Sequence, residues 1–277
     1  MRLLSNKMLG SAEDHEPMSE QRENRSGQFD GWFMTKTKGG VLRQIWSSVY
    51  GDDYPNDADP SSFMTVTDLN RIAELLDLNR SDTFADLGCG RGGPGLWVAK
   101  RTGASLVGID ISPLAIQHAT SRVSGTALEG RVRFHQGEFA ATGLPDHAME
   151  GVMSADALLF APARFAACRE VARILKHGHL FVFTSWEIRR PSVSLGLDPV
   201  LDYRPFLDLS GFQIELYEET PEWERRMRQV FEGILNRIAE LREEMGEAEA
   251  SRLKRWATSR PAELSDSRRV LVAARAI

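Results

Sequence analysis

The sequence predicts an α/β protein with a doubly wound, mostly parallel sheet of seven strands. Short apolar segments alternate with amphipathic helical segments between residues 83 and 217, which is typical of a parallel sheet covered by helices. The first apolar segment breaks into a glycine-rich loop that is followed at once by a helix. A chain of 277 residues, 42% hydrophobic and 26% charged, is long enough for one large domain of this class with additions.

The segment before the sheet divides into two parts. Residues 1–28 are polar and lack apolar periodicity, so we expect a flexible N-terminal arm. Residues 29–80 carry many aromatic and aliphatic side chains, several of them at helical spacing. A short helix that ends at Gly51 and a second helix from Thr67 to Leu78 are predicted there. Together they are expected to form an N-terminal helical lid.

The core is expected over residues 81–277. Helices are predicted between its strands, among them one opened by Ser112 and Pro113 and a short one over residues 203–209. The strands are predicted at residues 83–87, 105–109, 131–135, 151–154, 179–185, 213–217 and 269–274.

A helical insertion is predicted between the last two strands, at residues 220–260. Apolar residues recur there at three- and four-residue steps from Trp223 to Met245, which indicates a long amphipathic helix. Thr220 is its expected N-cap and Gly246 its expected end, and a second, shorter helix follows. The apolar stripe has three interpretations: a cap over the site, a contact between subunits, or core that faces the sheet.

The glycine-rich loop follows the first strand. That strand carries Asp86 near its end, and Pro94 stands where the next helix begins. Glycines allow a sharp turn and the close approach of a ligand, while a helix N-terminus favours a carboxylate or phosphate. The loop matches two patterns: G-x-G-x-x-G at residues 88, 90 and 93, which is a weak signal alone, and D-x-G-x-G-x-G at residues 86, 88, 90 and 92.

The run DLGCGRG at residues 86–92 closely resembles the first motif of class I, Rossmann-like S-adenosylmethionine (SAM)-dependent methyltransferases. The chain as a whole resembles the bacterial members that tailor natural products. The resemblance implies SAM as cofactor and S-adenosylhomocysteine as product. It also implies that Asp86 orients the loop and helps to bind the methionine amino group, and that Asp110 accepts both ribose hydroxyls. Asp110 alone would serve NAD equally well, and its structural alternative is an acid at a helix N-terminus.

A second stretch carries the same resemblance. Gly137-Glu138-Phe139, followed by Leu144-Pro145-Asp146, resembles the adenine motif of the family, with Glu138 in place of the usual Asp. The resemblance implies that Glu138 accepts from the adenine amino group and that Phe139 packs on the ring; the alternative for Glu138 is a solvated loop acid. Cys89 is expected as a small filler and not as a nucleophile. The predicted cofactor-binding residues are Asp86, Gly88, Cys89, Gly90, Gly92, Asp110, Ile111, Glu138, Phe139 and Ser154.

The chemistry of a sulfonium sets the expected mechanism. Its methyl group is already electrophilic, so the enzyme mainly aligns an O, N or C nucleophile for in-line displacement and excludes water. A hydroxyl or amine acceptor can also need a base. Asp156 and Glu187 follow the fourth and fifth strands, where reacting groups lie in open α/β sheets. They are the candidate catalytic bases; the alternative for each is a loop acid with a structural hydrogen bond.

Aromatic residues supply the candidate walls of an acceptor pocket. Such walls suit a small, hydrophobic or aromatic metabolite, although the same residues also suit a plain core. The predicted substrate-binding residues are Trp46, Tyr50, Tyr54, Phe63, Phe160 and Trp186.

Composition argues against several classes of function. A net charge of −5 gives no general attraction to nucleic acid. Two cysteines indicate no disulfide framework, and six scattered histidines do not predict a metal site. No apolar run approaches membrane-spanning length. We expect a cytoplasmic enzyme with a small-molecule substrate and without nucleic-acid or membrane partners; a homodimer stays open.

Two other classes of function stay open from the sequence. An NAD(P)-dependent oxidoreductase would share the glycine loop and Asp110. However, no tyrosine is followed four residues later by lysine, the pair that short-chain dehydrogenases need. A non-catalytic SAM-binding protein would share the whole cofactor set.

Overall fold

The computed structural model describes residue 27 and residues 40–58, 62–192 and 199–277. The predicted arm at residues 1–28 therefore lies outside the described residues, apart from Gly27. Residues 29–39 of the predicted lid lie outside them as well.

A seven-stranded sheet forms the centre of the domain, as predicted. Its order is β3-β2-β1-β4-β5-β7-β6. All neighbours pair in parallel except β7, which runs antiparallel to both β5 and β6. The strands are β1 (Thr83–Leu87), β2 (Ser105–Asp110), β3 (Val132–Gln136), β4 (Met149–Ala155), β5 (Leu175–Ile188), β6 (Phe212–Glu219) and β7 (Ser267–Ala276).

Helices cover both faces of this sheet, and buried apolar residues pack in one cluster on each face. Because helices cover both faces of the sheet, side chains on both faces of the central strands are buried, and the sequences of these strands are continuous apolar runs. The helices are α1 (Gly40–Tyr50), α2 (Val66–Leu76), α3 (Gly93–Thr102), α4 (Pro113–Ser121), α5 (Arg164–Ile174), α6 (Arg204–Asp208), α7 (Trp223–Asn236), α8 (Ile238–Met245) and α9 (Glu247–Ser259).

The described part of the lid consists of α1 and α2. Helix α1 ends at Tyr50, directly before the predicted terminator Gly51. Helix α2 starts after Thr65 because a capping box fixes that end: the Thr65 hydroxyl accepts from the Asp68 backbone N–H, and the Asp68 carboxylate accepts from the Thr65 N–H. It stops at Asp77, whose φ of 46° is left-handed.

The insertion between β6 and β7 consists of α7, α8 and α9. The break at Gly246 is as predicted, but the expected long helix is also interrupted at Arg237, which leaves helical dihedral angles. The N-cap prediction was wrong. Glu222 precedes α7, whereas the Thr220 hydroxyl donates to the Arg269 carbonyl oxygen at 3.4 Å.

A third apolar cluster joins the lid to the insertion. Trp223, Met227 and Phe231 of α7 pack in it with Tyr50 of α1 and Trp186 of β5. The apolar stripe of the insertion is thus buried within its own chain, against the lid and one end of the sheet. This placement disfavours a contact between subunits, while the cap and the core interpretations both fit it.

Candidate active site

The loop between β1 and α3 requires glycines for two reasons: its backbone adopts left-handed angles, and neighbouring atoms leave no room for a Cβ atom at Gly88. Gly88, Gly90 and Gly92 have φ values of 70°, 53° and 78°, a left-handed region that side chains rarely adopt. A Cβ atom on Gly88 would lie 2.5 Å from the Ala157 Cβ and 2.9 Å from the Phe139 Cζ. The loop, the segment after β4 and the ring of Phe139 therefore meet closely at this point.

The N-terminus of α3 lies under the lid. Gly93 opens the helix with Pro94 in its first turn, which suits proline because the missing N–H would have no helical partner. A Cβ atom on Gly93 would lie 1.8 Å from the Ala58 carbonyl oxygen. The Arg122 guanidinium holds the same segment, donating to the carbonyl oxygens of Asp57 at 2.8 Å and of Ala58 at 3.2 Å. These contacts seat the lid on the loop.

Asp110, at the end of β2, braces the loop directly. One carboxylate oxygen accepts from the Gly90 N–H at 2.8 Å, and the other accepts from the Ser112 N–H at 2.9 Å. Ser112 in turn caps α4 by accepting from the Ala115 N–H at 2.9 Å. The structural role that the sequence left as an alternative is therefore present. A carboxylate oxygen has two lone pairs, so this bracing is compatible with accepting ribose hydroxyls as well.

Asp86 is the most unusual group at the site. Its carboxylate is 1% exposed, and among the described residues neither oxygen has a hydrogen-bond partner of good geometry. Burial, followed by the nearby Asp110 carboxylate, raises its pKa to about 7, and the Gly95 backbone N–H opposes the rise. A buried carboxylate without a partner beside a ligand loop suits a cationic group, and the amino group of a bound methionine is such a group.

The other predicted cofactor residues surround the same loop or support it. The Phe139 ring faces Gly88, and Glu138 forms an isolated bridge with Ala141. The Ile111 carbonyl oxygen accepts from Gln136 at 2.9 Å. The buried Ser154 hydroxyl donates to the Leu87 carbonyl oxygen at 2.8 Å and so joins β4 to β1.

Cys89 is buried, and burial raises the pKa of its thiol. A thiol held in its neutral form is a poor nucleophile, which agrees with the expectation of a filler.

Both predicted bases are paired with arginines of β7. Asp156 contacts Arg269 at 2.9 Å and accepts from the Phe63 backbone N–H at 3.1 Å. Glu187 contacts Arg268 at 2.6 Å and accepts from the Tyr217 hydroxyl. Both carboxylates therefore take part in structural ion pairs and hydrogen bonds. The geometry supports the structural alternative for both.

Arg269 and Asp68 are important residues that sequence reasoning missed. The Arg269 side chain is 2% exposed and lies between Asp68 and Asp156, each at 2.9 Å. Its guanidinium also donates to the Thr220 hydroxyl at 3.2 Å. A signal was available, because an arginine within an apolar strand needs a buried partner. The sequence could not show that this partner lies on the lid, about two hundred residues away.

The predicted substrate residues come together in the third cluster. Phe63 lies 4.8 Å from Trp46 and 5.5 Å from Trp186 between ring centroids. Tyr54 is buried in the same cluster, and Phe160 packs at its margin. Trp46, Tyr54 and Trp186 are buried, which fits the alternative that they belong to the core of the protein and not to the wall of a pocket.

Tyr50 and Phe63 differ from the rest, because they line a cavity of about 100 Å³ between the lid and the insertion. The wall of this Tyr50 cavity includes Thr67, Trp223, Arg226 and Arg269.

Residues 84–178 match the family model described as "Methyltransferase domain". The chain carries a class I methyltransferase domain. The predicted family is therefore confirmed.

Curated methyltransferases resemble this domain over part of their length. Methyltransferase GfsG of Streptomyces halstedii is 29% identical over 124 residues, which cover 45% of each chain. The 27-O-demethylrifamycin SV methyltransferase of Amycolatopsis mediterranei is 28% identical over 139 residues, 50% of this chain and 51% of the relative. The sterol 24-C-methyltransferase of Pneumocystis carinii is 30% identical over 115 residues, 42% of this chain and 30% of the relative. The chain spans about half the length of these curated relatives or less.

Solved structures share the fold over most of the chain. The [4+2]-cyclase SpnF gives a TM-score of 0.68 at 23% identity, covering 85% of this chain and 93% of its own. A putative sarcosine dimethylglycine methyltransferase from Galdieria sulphuraria also gives 0.68, at 18% identity, covering 85% and 96%. At this identity the likeness is one of fold.

The described residues show neither a metal-binding group nor a membrane-spanning helix. They contain no group of three or more His, Cys, Asp or Glu residues arranged to hold a metal ion. Within the same part of the chain, every helix is too short or too polar to cross a membrane.

Proposed function

We propose that the protein is a SAM-dependent methyltransferase that moves the sulfonium methyl group to an O, N or C nucleophile of a small, hydrophobic or aromatic metabolite. The observation that carries the proposal is Asp86. Its buried carboxylate has no good partner among the described residues and lies beside a loop of left-handed glycines. A cofactor with a cationic amino group and a polar nucleoside would satisfy both features.

Each of the residues around the loop has a proposed part in binding. Asp86 holds the methionine amino group, and Asp110 accepts the ribose hydroxyls while it braces Gly90. Glu138 accepts from the adenine amino group, and Phe139 packs on the ring. Neighbours of the same fold have been solved with S-adenosylhomocysteine or SAM, for example a phosphoethanolamine N-methyltransferase of Haemonchus contortus, which supports this choice of cofactor.

Bound SAM supplies an electrophilic methyl group. The chain's own contribution is to orient the acceptor and to keep water away, which the lid and the insertion do by burying the third cluster. Because Asp156 and Glu187 are already paired with Arg269 and Arg268, we infer that alignment has the larger part in the rate. A homodimer and the natural-product class of the acceptor stay predictions.

Calorimetry tests the cofactor. SAM and S-adenosylhomocysteine should bind, while NAD and NADP should not. Tighter binding of a nicotinamide cofactor than of SAM would contradict the proposal.

Transfer of label from methyl-labelled SAM to a panel of neutral aromatic and polyketide metabolites tests the activity. SAM binding without transfer to any acceptor would favour a non-catalytic SAM-binding protein or another activity on this fold, as the neighbouring [4+2]-cyclase illustrates.

A further inference from the structure

The Tyr50 cavity is lined by a hydroxyl that has no hydrogen-bond partner among the described residues. Tyr50 is 6% exposed, and its ring packs between Trp46 and Tyr54, with centroids at 5.5 and 6.4 Å. None of the hydrogen bonds among the described residues involves its hydroxyl, although the cavity that it lines is bordered by charged side chains. A nearly buried hydroxyl of this kind normally finds a partner. A ligand group inside the cavity could supply the missing hydrogen-bond partner.

The Tyr50 hydroxyl keeps its proton and can donate a hydrogen bond. Burial is the largest influence on it and raises its pKa far above the ordinary value of 10, against the opposing charge of Arg269. The phenol therefore keeps its proton at any physiological pH. A ligand group with an acceptor atom can therefore accept a hydrogen bond from this O–H.

The charges on the cavity wall are balanced. Arg226 pairs with Asp53 at 2.8 Å, and Arg269 pairs with Asp68 at 2.9 Å. All four side chains are at most about one-fifth exposed. A charged ligand group would lose its hydration here and find no unpaired countercharge, which is costly. An uncharged oxygen atom would lose less hydration free energy than a charged group, and it would gain a hydrogen bond from Tyr50.

A chain of contacts links the cavity to the strand that carries Asp86. Arg269 on its wall also holds Asp156, which directly follows β4, and β4 pairs with β1 at Asp86. Thr67, on the cavity wall, is exposed, so the cavity opens to solvent there. Phe63, Pro221 and Trp223 supply the apolar part of the wall.

We propose that the Tyr50 cavity binds an uncharged, oxygen-bearing group of a neutral acceptor, and that Tyr50 determines specificity by donating a hydrogen bond to that oxygen. This inference rests on the proposed function, and it narrows the acceptor to hydroxyl, ether or carbonyl compounds. Acceptors that are recognised through a phosphate, a carboxylate or an ammonium group are excluded from this cavity.

Four probes of similar shape test the proposal: benzyl alcohol, toluene, benzoate and benzylamine. Each is titrated into the full chain by ligand-observed NMR, with and without saturating S-adenosylhomocysteine. Benzyl alcohol should bind more tightly than the other three. Tyr50→Phe should weaken benzyl alcohol by roughly 3- to 10-fold, the range of one neutral hydrogen bond, and leave toluene unchanged. Magnetisation transfer from the Tyr50 and Trp223 rings to the bound probe should locate it in the cavity.

Tyr203→Phe is the matched control. Tyr203 is also buried, but its hydroxyl already bonds to Ser185 at 2.7 Å on β5, and the residue does not line the cavity. It should leave the affinity for benzyl alcohol unchanged.

Equal losses in the two variants, no effect of Tyr50→Phe, or tighter binding of benzoate or benzylamine would each overturn the proposal. If Tyr50→Phe fails to fold, the relative affinities of the wild-type chain for the four probes test the proposal. The titrations without S-adenosylhomocysteine keep this result separate from the cofactor test, so failure of one proposal is not read as failure of the other.

Discussion

The two sides of the candidate site are built in different ways. The cofactor side comes from one βαβ unit, in which Asp86, the glycines and Asp110 lie within 25 residues of one another along the chain. The lid side comes from separate elements: Tyr50 and Asp68 of the lid, Asp156 after β4, Arg226 of the insertion and Arg269 of β7.

This difference shows where each side gets its rigidity. The cofactor side is held by local backbone: left-handed glycines and the two N–H groups that Asp110 accepts. The lid side is held by buried charge, since Arg269 joins the lid to the segment after β4 through Asp68 and Asp156. A change on the cofactor side should therefore affect ligand binding, and a change at Arg269 should affect the stability of the whole fold.

The largest effect is expected from Arg269→Met. The substitution keeps much of the side-chain volume but leaves two nearly buried carboxylates without their countercharge. Removal of one partner from a buried ion pair typically costs about 3–5 kcal/mol in the free energy of unfolding. Urea unfolding followed by circular dichroism should show this loss.

Arg275→Met is the control for that change, because Arg275 is on the same strand and pairs with Glu215 at the surface, where the side chains are 40% and 37% exposed. An exposed pair contributes less than about 1 kcal/mol. Equal losses for the two variants would mean that Arg269 does not join the lid to the sheet.

A smaller effect is expected from Asp110→Ala, which should weaken the binding of SAM. The variant loses the carboxylate that braces Gly90 and the acceptor proposed for the ribose hydroxyls. Since a hydrogen bond to a charged group contributes on the order of 1.5–3 kcal/mol, the Kd for SAM should rise at least roughly tenfold. Calorimetry measures the change, and circular dichroism should show an intact fold.

Asp208→Ala, which removes an exposed acid at the end of α6, should leave the Kd unchanged. If Asp110→Ala binds SAM as the wild type does, Asp110 is only a brace for the loop.

The smallest effect concerns pH and Asp86. Its pKa is about 7 in the folded chain, against an ordinary value of 3.8, so the folded chain keeps a proton that the unfolded chain loses. The contribution of Asp86 to stability therefore falls as pH rises from about 4 to 7. Only the ionised carboxylate pairs with an ammonium group, so SAM affinity should increase roughly tenfold between pH 6 and pH 8.

Calorimetry in two buffers with different ionisation enthalpies should show proton release on SAM binding near pH 6. Asp86→Asn should remove both the release and this part of the pH dependence. A wild-type Kd that is flat over this range would place the ammonium group elsewhere.

The sequence by itself determined the sheet and the cofactor side. Alternating apolar segments predicted all seven strands to within a few residues of their bounds, because burial on both faces imposes a local pattern. The spacing of Asp86, Gly88 and Asp110 predicted the loop, because a left-handed turn and a strand-end acid depend on residues that are close in the chain.

The tertiary structure alone decided the lid side. No local pattern states that Arg269 faces Asp68, that Arg269 also pairs with Asp156, or that Tyr50 lines the cavity between the lid and the insertion. The guanidinium of Arg237, where the insertion breaks, contacts Gln44 of the lid at 2.9 Å, which no local pattern states either. Such pairings join residues about one hundred to two hundred positions apart, and their energy depends on burial and distance, which exist only once the chain is folded.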